Sequence, residues 1–351
     1  MSNQWMIYGA NGYTGRLCVQ EAIRRGERPI LAGRNEDAVS SLANQFSLPH
    51  RIFSLSDEGL AGHFDGVHTV LHCAGPFSHT SRPVLEACLK AGTHYVDVTG
   101  EIAVFEACRR AHGDAMGAGI AVLPGAGFDV VPSDCLAKTL AERLPSATHL
   151  TLAFANSGES GFSHGTATTM VENLGAGSAV REDGKIRVIG AGSRQKPIPF
   201  RDKRREGVAI PWGDISTAHH STGIPNIEVY MAVPSRMRKA MKISGHLGPI
   251  LQSKPAQWAL KTLVDKNVTG PNEEARKSSR TQLWGQVADE TETVSATLET
   301  PEGYTITARA SVDIALRIRN NELGPGFHTP STAFGADYIL GFDGCSLEFD
   351  A

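Results

Sequence analysis

The sequence predicts an α/β protein with a doubly wound parallel sheet and a second, α+β domain that contains an antiparallel sheet. Three observations support this prediction. Strand-like and helix-like patterns alternate from residue 4 to about residue 124, which is typical of right-handed crossover units and a parallel sheet. Beyond residue 129 the alternation stops, and short strands joined by turns follow near residues 281–310. The 351 residues also exceed what one hydrophobic core usually serves.

The first domain is predicted over residues 1–128. Its strands are short apolar runs, and most of them are followed by apolar residues at helical spacing. We expect the strands at 4–10, 29–33, 51–55, 67–74, 95–98 and 120–123, and the helices at 13–26, 36–46, 77–91 and 102–116. Ligands of doubly wound sheets lie across the carboxyl ends of the strands. The residues that follow each strand are therefore the first candidates for a site.

The second domain is predicted over residues 129–324. Helices are expected at 133–144 and 166–174 and in two stretches within 236–265. Strands are expected at 148–154, 227–233, 281–289, 293–300 and 304–310, the last two joined by a turn at 301–303. Residues 181–215 look irregular and basic, residues 268–280 resemble a polar linker, and residues 331–340 are predicted to form one more helix.

The glycine-rich turn after the first strand is the most informative segment. Gly9, Gly12 and Gly15 allow a sharp turn, a close approach of backbone N–H groups to a pyrophosphate, and tight packing of the next helix. The first interval is one residue longer than in the standard dinucleotide fingerprint. The strand before the turn and the helix after it favour a Rossmann-type cofactor site over a purely structural turn. The same turn supplies further predicted cofactor contacts: Asn11, Tyr13 and Thr14.

A basic residue follows the second strand, where NAD sites carry an acidic one for the ribose 2′-hydroxyl. The sequence there is Gly33-Arg34-Asn35, and all three residues are predicted to contact the cofactor. The Arg34 guanidinium can bind a 2′-phosphate and stack on the adenine, whereas a carboxylate would repel the phosphate. NADP(H) is therefore the predicted cofactor. The alternative is an exposed arginine at a helix start.

Small residues follow the fourth strand and would let the nicotinamide-side ribose approach the backbone. These predicted cofactor contacts are Cys73, Ala74, Gly75, Pro76 and Phe77. After the fifth strand, Thr99 and Glu101 could reach the cofactor or substrate, and Thr99 is counted as a cofactor contact. The alternative is that Thr99 caps the next helix, with Glu101 in its first turn.

Composition narrows the class of protein. The formal net charge is −3, from 34 Lys and Arg against 37 Asp and Glu, so we expect neither nucleic acid nor a membrane as partner. The N-terminus lacks the pattern of a signal peptide and the sequence lacks a run of about 18 apolar residues, so neither a signal peptide nor a membrane span is expected. The six cysteines lack a Cys-x-x-Cys pair and fit reduced thiols. A cytoplasmic protein with a small-molecule substrate is expected, with a homodimer as the candidate assembly.

Other catalytic and metal signatures are missing. His68 and His72 are four residues apart on a strand, which does not give the chelating geometry of a helix, so no metal site is expected. No tyrosine is followed four residues later by lysine, which excludes the proton-transfer pair of short-chain dehydrogenases.

Taken together, the motifs resemble those of the saccharopine dehydrogenase-like oxidoreductases, a family that includes bacterial trans-acting enoyl reductases. The matching segments are 9–15, 32–34, 73–77, 95–101, 127–134, 163–167, 211–214 and 329–330. The resemblance implies an N-terminal NADP domain, a second α+β domain, and a C-terminal segment, about 325–351, that packs back on the first domain. His72 stands where the family often has asparagine, which bears on hydrogen bonding near the cofactor.

The resemblance leaves the substrate open. Saccharopine dehydrogenases act on a C–N bond of an amino-dicarboxylate and need cations to hold the carboxylates. The predicted cleft segments 125–134, 160–170 and 211–221 contain no Arg or Lys. The leading hypothesis is therefore an NADPH-dependent reductase of an activated C=C or C=N bond. The alternatives are a saccharopine-type amino-acid C–N dehydrogenase and a non-catalytic NADP(H) sensor or scaffold.

A reductase of this kind needs a proton donor. His164 is the first candidate, because it lies among Gly, Ser and Thr residues at a predicted helix start near the expected cleft. Asp129, Asp214 and His220 follow it as candidates, and a bound water is the alternative to all four.

Overall fold

The computed structural model describes residues 4–157, 161, 163–172, 174–175 and 177–350. The chain divides into two compact units. The first consists of Met1–Asp129 with Tyr304–Ala333, and the second of Val130–Gly303 with Phe334–Ala351. Among the described residues, none of the helices is both long and apolar enough to cross a bilayer.

The N-terminal part of the first unit alternates strands and helices. Its strands are β1 (Gln4–Tyr8), β2 (Ile30–Gly33), β3 (His50–Ile52), β4 (Val67–His72), β5 (His94–Asp97) and β6 (Ala121–Leu123). Its helices are α1 (Tyr13–Arg24), α2 (Glu36–Phe46), α3 (Phe77–Ala91), α4 (Ile102–Arg110) and α5 (His112–Ala118), with a 3₁₀ helix at Leu60–Phe64.

The second unit begins with α6 (Val131–Arg143). Its strands are β7 (His149–Ser157), β8 (Ser178–Glu182), β9 (Lys185–Ile189), β10 (Gln195–Pro199), β11 (Arg204–Ala209), β12 (Asn226–Ala232), β13 (Arg280–Ala288) and β14 (Thr293–Pro301). Its further helices are α7 (His164–Glu172), α8 (Asp214–Thr222), α9 (Ser235–His246), α10 (Gly248–Leu251), α11 (Lys254–Asn267) and α12 (Glu273–Ser278).

The chain then returns to the first unit before it ends in the second. The returning elements are α13 (Gly303–Arg319) and β15 (Gly326–Phe327), followed by α14 (Pro330–Phe334). A 3₁₀ helix at Tyr338–Gly341 and β16 (Ser346–Phe349) complete the second unit.

The sheet of the first unit is parallel, with strand order β15-β6-β5-β4-β1-β2-β3. Ile7 of β1 lies opposite Leu31 of β2 and Leu71 of β4, and all three are fully buried. Strands that are covered by helices on both faces consist of continuous apolar runs. This pattern is why β1 and β2 could be predicted from the sequence. The predicted doubly wound α/β fold is confirmed.

The sheet of the second unit is mixed and mainly antiparallel, with β7 and β12 as a parallel pair. Its order is β10-β11-β12-β7-β13-β14-β16, and β8 joins β12 and β9. The long β13–β14 hairpin puts Trp284 in the core together with Tyr230 of β12. The predicted α+β unit with an antiparallel sheet is therefore confirmed.

Four predictions about elements are wrong. Residues 304–310 form the start of α13, because Ile306, Ala310 and Ile314 are buried at a spacing of four residues. Residues 181–215 contain strands β9, β10 and β11 together with the end of β8, and the supposed linker 268–280 contains α12. Residues 331–340 are split between α14 and a 3₁₀ helix.

The C-terminal segment also differs from the prediction that residues 325–351 return to the first unit as one piece. β15 pairs with β6 in the parallel sheet, but β16 pairs with β14 in the second unit. The return to the first unit starts earlier than expected, at Tyr304, and ends at Ala333.

Candidate functional site

The glycine turn leaves β1 at the carboxyl edge of the parallel sheet. Gly9 has a φ of +82°, and its N–H donates to the carbonyl of Ala32 at 2.8 Å. A Cβ on Gly9 would lie 2.8 Å from the Cβ of Ala74, which follows β4. Both the left-handed backbone and the close approach of two strand ends therefore require glycine here.

Gly12 and Gly15 open the N-terminus of α1. Gly12 is the N-cap residue of α1 and makes no side-chain cap hydrogen bond. Such a helix start is a ready anion site, because its N–H groups lack partners within the helix and the helix dipole favours negative charge. A Cβ on Gly15 would lie 2.2 Å from the carbonyl oxygen of Gly9, so Gly15 lets the helix fold back against its own turn.

Arg34 follows β2 directly and is exposed. Within the part of the chain that the structure describes, its guanidinium makes no hydrogen bond or ion pair. Asn35 caps α2 by accepting a hydrogen bond from the Ala38 N–H at 3.0 Å. Asn11 lies against Gly33, since a Cβ there would be 3.1 Å from the Asn11 Oδ1. The turn and Arg34 thus meet at neighbouring strand ends.

These features fit a dinucleotide with a 2′-phosphate. The uncapped start of α1 suits a pyrophosphate. The guanidinium after β2, with a fork of donors and a fixed charge, suits a phosphate monoester. No carboxylate stands at the end of β2, where it would repel such a group.

The turn after β4 is held by the protein itself. The Cys73 N–H donates to the Tyr8 carbonyl at 2.8 Å. The Glu101 carboxylate accepts hydrogen bonds from the N–H groups of Phe77 at 2.8 Å and Ser78 at 2.9 Å. Glu101 therefore caps α3, a role that neither sequence hypothesis assigned to it. Because the Phe77 N–H already donates to Glu101, a contact between Phe77 and the cofactor would be made by the phenyl ring.

Asp97 at the end of β5 ties neighbouring strand ends together. Its carboxylate accepts hydrogen bonds from the Thr99 N–H and the Gly125 N–H, both at 2.9 Å, and from the Tyr95 hydroxyl at 2.6 Å. Burial raises the pKa of Asp97 to about 6, against the lowering effect of these donors. Sequence reasoning missed this residue, although its position at a strand end was the available signal.

Thr99 is fully buried, and its hydroxyl oxygen accepts a hydrogen bond from the Glu101 N–H at 3.1 Å. This bond favours the alternative in which Thr99 stabilises the start of α4. Contact between Thr99 and the cofactor stays a prediction.

Asp129 lies beside the same strand ends. A Cβ on Gly100 would be 2.4 Å from the Asp129 Oδ2, so the carboxyl group packs directly on the Gly100 backbone. Asp129 is half-buried, and burial raises the pKa of its carboxyl group to about 7. The loop before it is held by α13, because the Phe128 N–H donates to the Thr307 hydroxyl at 2.9 Å.

The other candidate proton donors belong to the second unit. His164 is the first residue of α7 and is exposed, and the Ser163 hydroxyl accepts a hydrogen bond from the Thr166 N–H at 3.2 Å. The predicted helix start is therefore present. Residues 160 and 162, in the predicted cleft segment 160–170, lie outside the described residues.

Asp214 and His220 both lie on α8 but on different faces. Asp214 is the first residue of the helix and fully buried, whereas His220 is exposed. Six residues correspond to a separation of about 120° round the helix axis. The structure does not bring these two candidates together as an acid–base pair.

His72 supports the turn after β4. It is fully buried, and its Nε2 lies 3.0 Å from the Thr80 hydroxyl, which donates to the Ala74 carbonyl at 2.6 Å. Burial lowers the pKa of His72 to about 3, so the ring is neutral. Among the described residues, no group of three or more His, Cys, Asp or Glu side chains is placed to hold a metal ion.

Comparison with known proteins supports the reading of the first domain. Residues 5–123 match the family model described as the saccharopine dehydrogenase NADP binding domain. Over these residues the chain is similar to that NADP-binding domain, and the predicted cofactor NADP(H) is confirmed. The resemblance stated from the motifs is confirmed as well.

Relatives and folds extend the likeness beyond this domain. A Mycobacterium tuberculosis protein named among the trans-acting enoyl reductases is 30% identical over 186 residues, which cover 49% of this chain and 44% of the relative. A trans-acting enoyl reductase of Mycobacterium bovis is 31% identical over 144 residues, covering 37% and 33%. The matches thus span less than half of either relative.

The solved structure of saccharopine dehydrogenase (L-Glu forming) from Saccharomyces cerevisiae shares the fold. It superposes with a TM-score of 0.67 at 12% identity and covers 99% of this chain and 100% of that chain. At this identity the likeness concerns the fold alone.

Proposed function

We propose that this chain, whose residues 5–123 match the saccharopine dehydrogenase NADP binding domain, is an NADPH-dependent reductase of an activated C=C or C=N bond in a small molecule. The observation that carries the proposal is the carboxyl edge of the parallel sheet. There the uncapped start of α1 and the exposed Arg34 lie at adjacent strand ends, where they could bind NADPH. A bound NADPH donates a hydride, and a polarised double bond can accept it.

The chain's own residues would hold the cofactor in two places. The N–H groups at Gly12 and the start of α1 would bind the pyrophosphate, and Arg34 would bind the 2′-phosphate. The small residues Ala74 and Gly75 would leave room for the nicotinamide-side ribose. When bound, NADPH supplies the hydride.

Asp129 is the strongest candidate for the proton donor. Reduction of a polarised double bond leaves an anionic atom that must be protonated. A carboxyl group with a pKa of about 7 still holds its proton in about half of the molecules at neutral pH. In this proposal Asp129 is preferred over the other candidates, His164, Asp214 and His220. The reason is that burial raises the pKa of its carboxyl group to near neutral pH, where the group can donate a proton.

The substrate is expected to be neutral or weakly polar. The segments 125–134, 160–170 and 211–221 contain no Arg or Lys to hold carboxylates. The enoyl reductase names of the mycobacterial relatives favour a C=C bond within this class.

A second candidate function is the oxidation or formation of an amino-acid C–N bond. The name of the matching NADP-binding family favours it, while the lack of cations in the three segments speaks against an amino-dicarboxylate.

The two functions are separated by turnover. NADPH oxidation would be followed with a panel of conjugated enones, enoyl thioesters and imines, and NADP⁺ reduction with saccharopine and simple amino acids. We expect oxidation with at least one enone, thioester or imine. Turnover only with amino acids would favour the second function. Tight NADPH binding without turnover on any compound would point to the sensor or scaffold and overturn the proposal.

A further inference from the structure

Helices α9–α11 of the second unit expose large apolar side chains. Trp258 is 72% exposed, Ile250 64%, Ile243 59% and Leu263 58%, and Met237 and Leu247 are exposed as well. Single exposed apolar residues are ordinary, but a concentration of them on consecutive helices marks a binding surface. We call the outward faces of these three helices the α9–α11 surface.

The exposed residues are ordered along the helices. On α9 and its end, Met237, Ala240, Ile243 and Leu247 fall within about 120° of the helix circumference. On α11, Trp258, Ala259 and Leu263 fall within about 140°. Both helices therefore expose apolar side chains on one side, with Arg236 among them on α9 and Lys266 among them on α11. This side is separate from the face that packs on the unit.

The inward faces are already used. On α11, the Lys261 Nζ forms an ion pair with the Glu172 Oε1 of α7 at 2.6 Å, and the Gln257 amide donates to the Val171 carbonyl at 2.9 Å. On α9, Gly245 lies against Ala191, since a Cβ there would be 3.5 Å from the Ala191 Cβ. The exposed apolar faces are thus not the ones that hold the helices to the unit.

The charge of this segment is the opposite of that of the rest of the chain. Residues 235–267 contain seven Lys and Arg and one acidic residue, which leaves 27 Lys and Arg against 36 Asp and Glu elsewhere. Exposed lysines lie beside the apolar residues on α9, and beside and between them on α11: Lys239, Lys242, Lys254 and Lys266. The net charge of −3 sums over the basic segment 235–267 and the acidic remainder of the chain. For this reason it gave no sign of a membrane partner.

We propose that the α9–α11 surface docks on an anionic lipid bilayer, with the helices lying in the plane of the interface. Apolar side chains with an exposed tryptophan enter the boundary between head groups and acyl chains, while lysines attract lipid phosphates. Nucleic acid would use the lysines but not the large aliphatic side chains. A second copy seated symmetrically on this surface would bring like charges together. This inference does not depend on the proposed function.

Vesicle binding of the full chain tests the proposal. The chain would be sedimented with vesicles of phosphatidylcholine alone and with vesicles containing about a third phosphatidylglycerol. We expect at least about tenfold stronger binding to the anionic vesicles, and weaker binding as salt is raised. The emission of Trp258 should shift to the blue on binding, because its exposed ring would leave water.

Matched variants locate the surface. Trp258→Ser with Leu263→Ser should lower vesicle affinity by about tenfold or more, whereas Val188→Ser, at an equally exposed valine of β9, should not. Lys242→Glu with Lys266→Glu should abolish the preference for anionic vesicles, whereas Lys185→Glu with Lys203→Glu should leave it. NADPH titration and circular dichroism would confirm that each variant folds.

Three outcomes would overturn the proposal. One is equal and weak binding to both kinds of vesicle. Another is loss of binding in the control variants to the same extent as in the α9–α11 variants. The third is concentration-dependent self-association that the Trp258 and Leu263 variant abolishes while vesicle binding is absent, which would assign the surface to a second copy.

Discussion

At the scale of single residues, we propose that Arg34 determines the preference for NADPH over NADH. Replacing Arg34 by Ala removes the cation after β2 without touching the glycine turn. We expect NADPH affinity to fall by about 10- to 100-fold and NADH affinity by less than about threefold, because only NADPH has the 2′-phosphate. Fluorescence titration with both nucleotides measures the difference.

The control is Arg109→Ala, at a partly exposed arginine on α4 whose partner is Glu106. It should change neither affinity. Equal losses for the two nucleotides in Arg34→Ala would show that Arg34 does not bind the 2′-phosphate.

Asp129 makes a prediction about pH. If its carboxyl group donates the proton, kcat/KM should fall as pH rises above about 7, where the group ionises. Asp129→Asn should lower kcat by about 100-fold or more and remove this limb of the profile. Asp114→Asn, at an exposed carboxylate of α5, should leave the profile unchanged. An unaltered limb in Asp129→Asn would assign the proton to another donor.

The same residue affects stability in a defined direction. Because the folded-state pKa of Asp129 is raised above its unfolded value, its contribution to stability is complete below about pH 4 and is lost as pH rises to about 7. Asp129→Asn, which cannot ionise, should therefore be more stable than the original chain at pH 8 and about equal at pH 4, as measured by urea unfolding.

At the scale of elements, the turn between β1 and α1 depends on Gly15. An added Cβ would meet the Gly9 carbonyl oxygen at 2.2 Å and force the helix away from the turn. We expect Gly15→Ala to destabilise the chain by about 2–4 kcal/mol and to weaken NADPH binding by at least about tenfold. Urea unfolding and nucleotide titration measure the two effects.

Gly113→Ala is the matched control. Gly113 lies in α5, and an added Cβ would have no heavy atom within 4 Å. This variant should be neutral or more stable by up to about 1 kcal/mol, because alanine favours helix. A similar loss in both variants would show that the close approach at Gly15 is unimportant.

Elements with strong local signals were predictable from the sequence, and those decided by long-range packing were not. β1, α1 and β2 follow from continuous apolar runs and a glycine turn. The start of α13 was misread because Tyr304-Thr305-Ile306-Thr307 alternates like a strand and contains β-branched residues. Burial of Ile306 and Ala310 against the first unit overrides that preference.

The candidate site shows the same division. Gly9, Gly15 and Arg34 stand in a motif with fixed spacing, so the sequence alone predicted where they lie. The cap that Glu101 provides for α3 and the bonds of Asp97 to Gly125 join residues more than 20 positions apart. No local sequence pattern predicts such contacts, because they depend on which strands are neighbours in the sheet.

At the scale of the whole molecule, the first unit needs the segment Tyr304–Ala333. Phe327 belongs to its core, β15 covers the edge of β6, and Arg25 pairs with Asp313 of α13 at 2.8 Å. We therefore expect residues 1–129 alone to be largely unfolded and unable to bind NADPH, because the apolar surface that α13 covers would be exposed. Circular dichroism and NADPH titration test this.

Joining residue 129 to residues 304–333 through a short linker should restore both properties, since the Phe128 N–H and the Thr307 hydroxyl are only 2.9 Å apart. The same joined chain with Ile306→Asp and Ile314→Asp should not recover. Full NADPH binding by residues 1–129 alone would contradict the prediction.

The return of the chain to its first sheet also means that neighbouring strands of this sheet are synthesised at different times. When a ribosome has made β6, the strand that covers its edge is still about 200 residues away. At roughly 5–20 residues per second, this edge waits about 10–40 s for β15. An uncovered strand edge is a template for wrong pairing. The first unit is thus begun before the second and completed only after most of it, so slower synthesis lengthens the time for which the β6 edge stays uncovered.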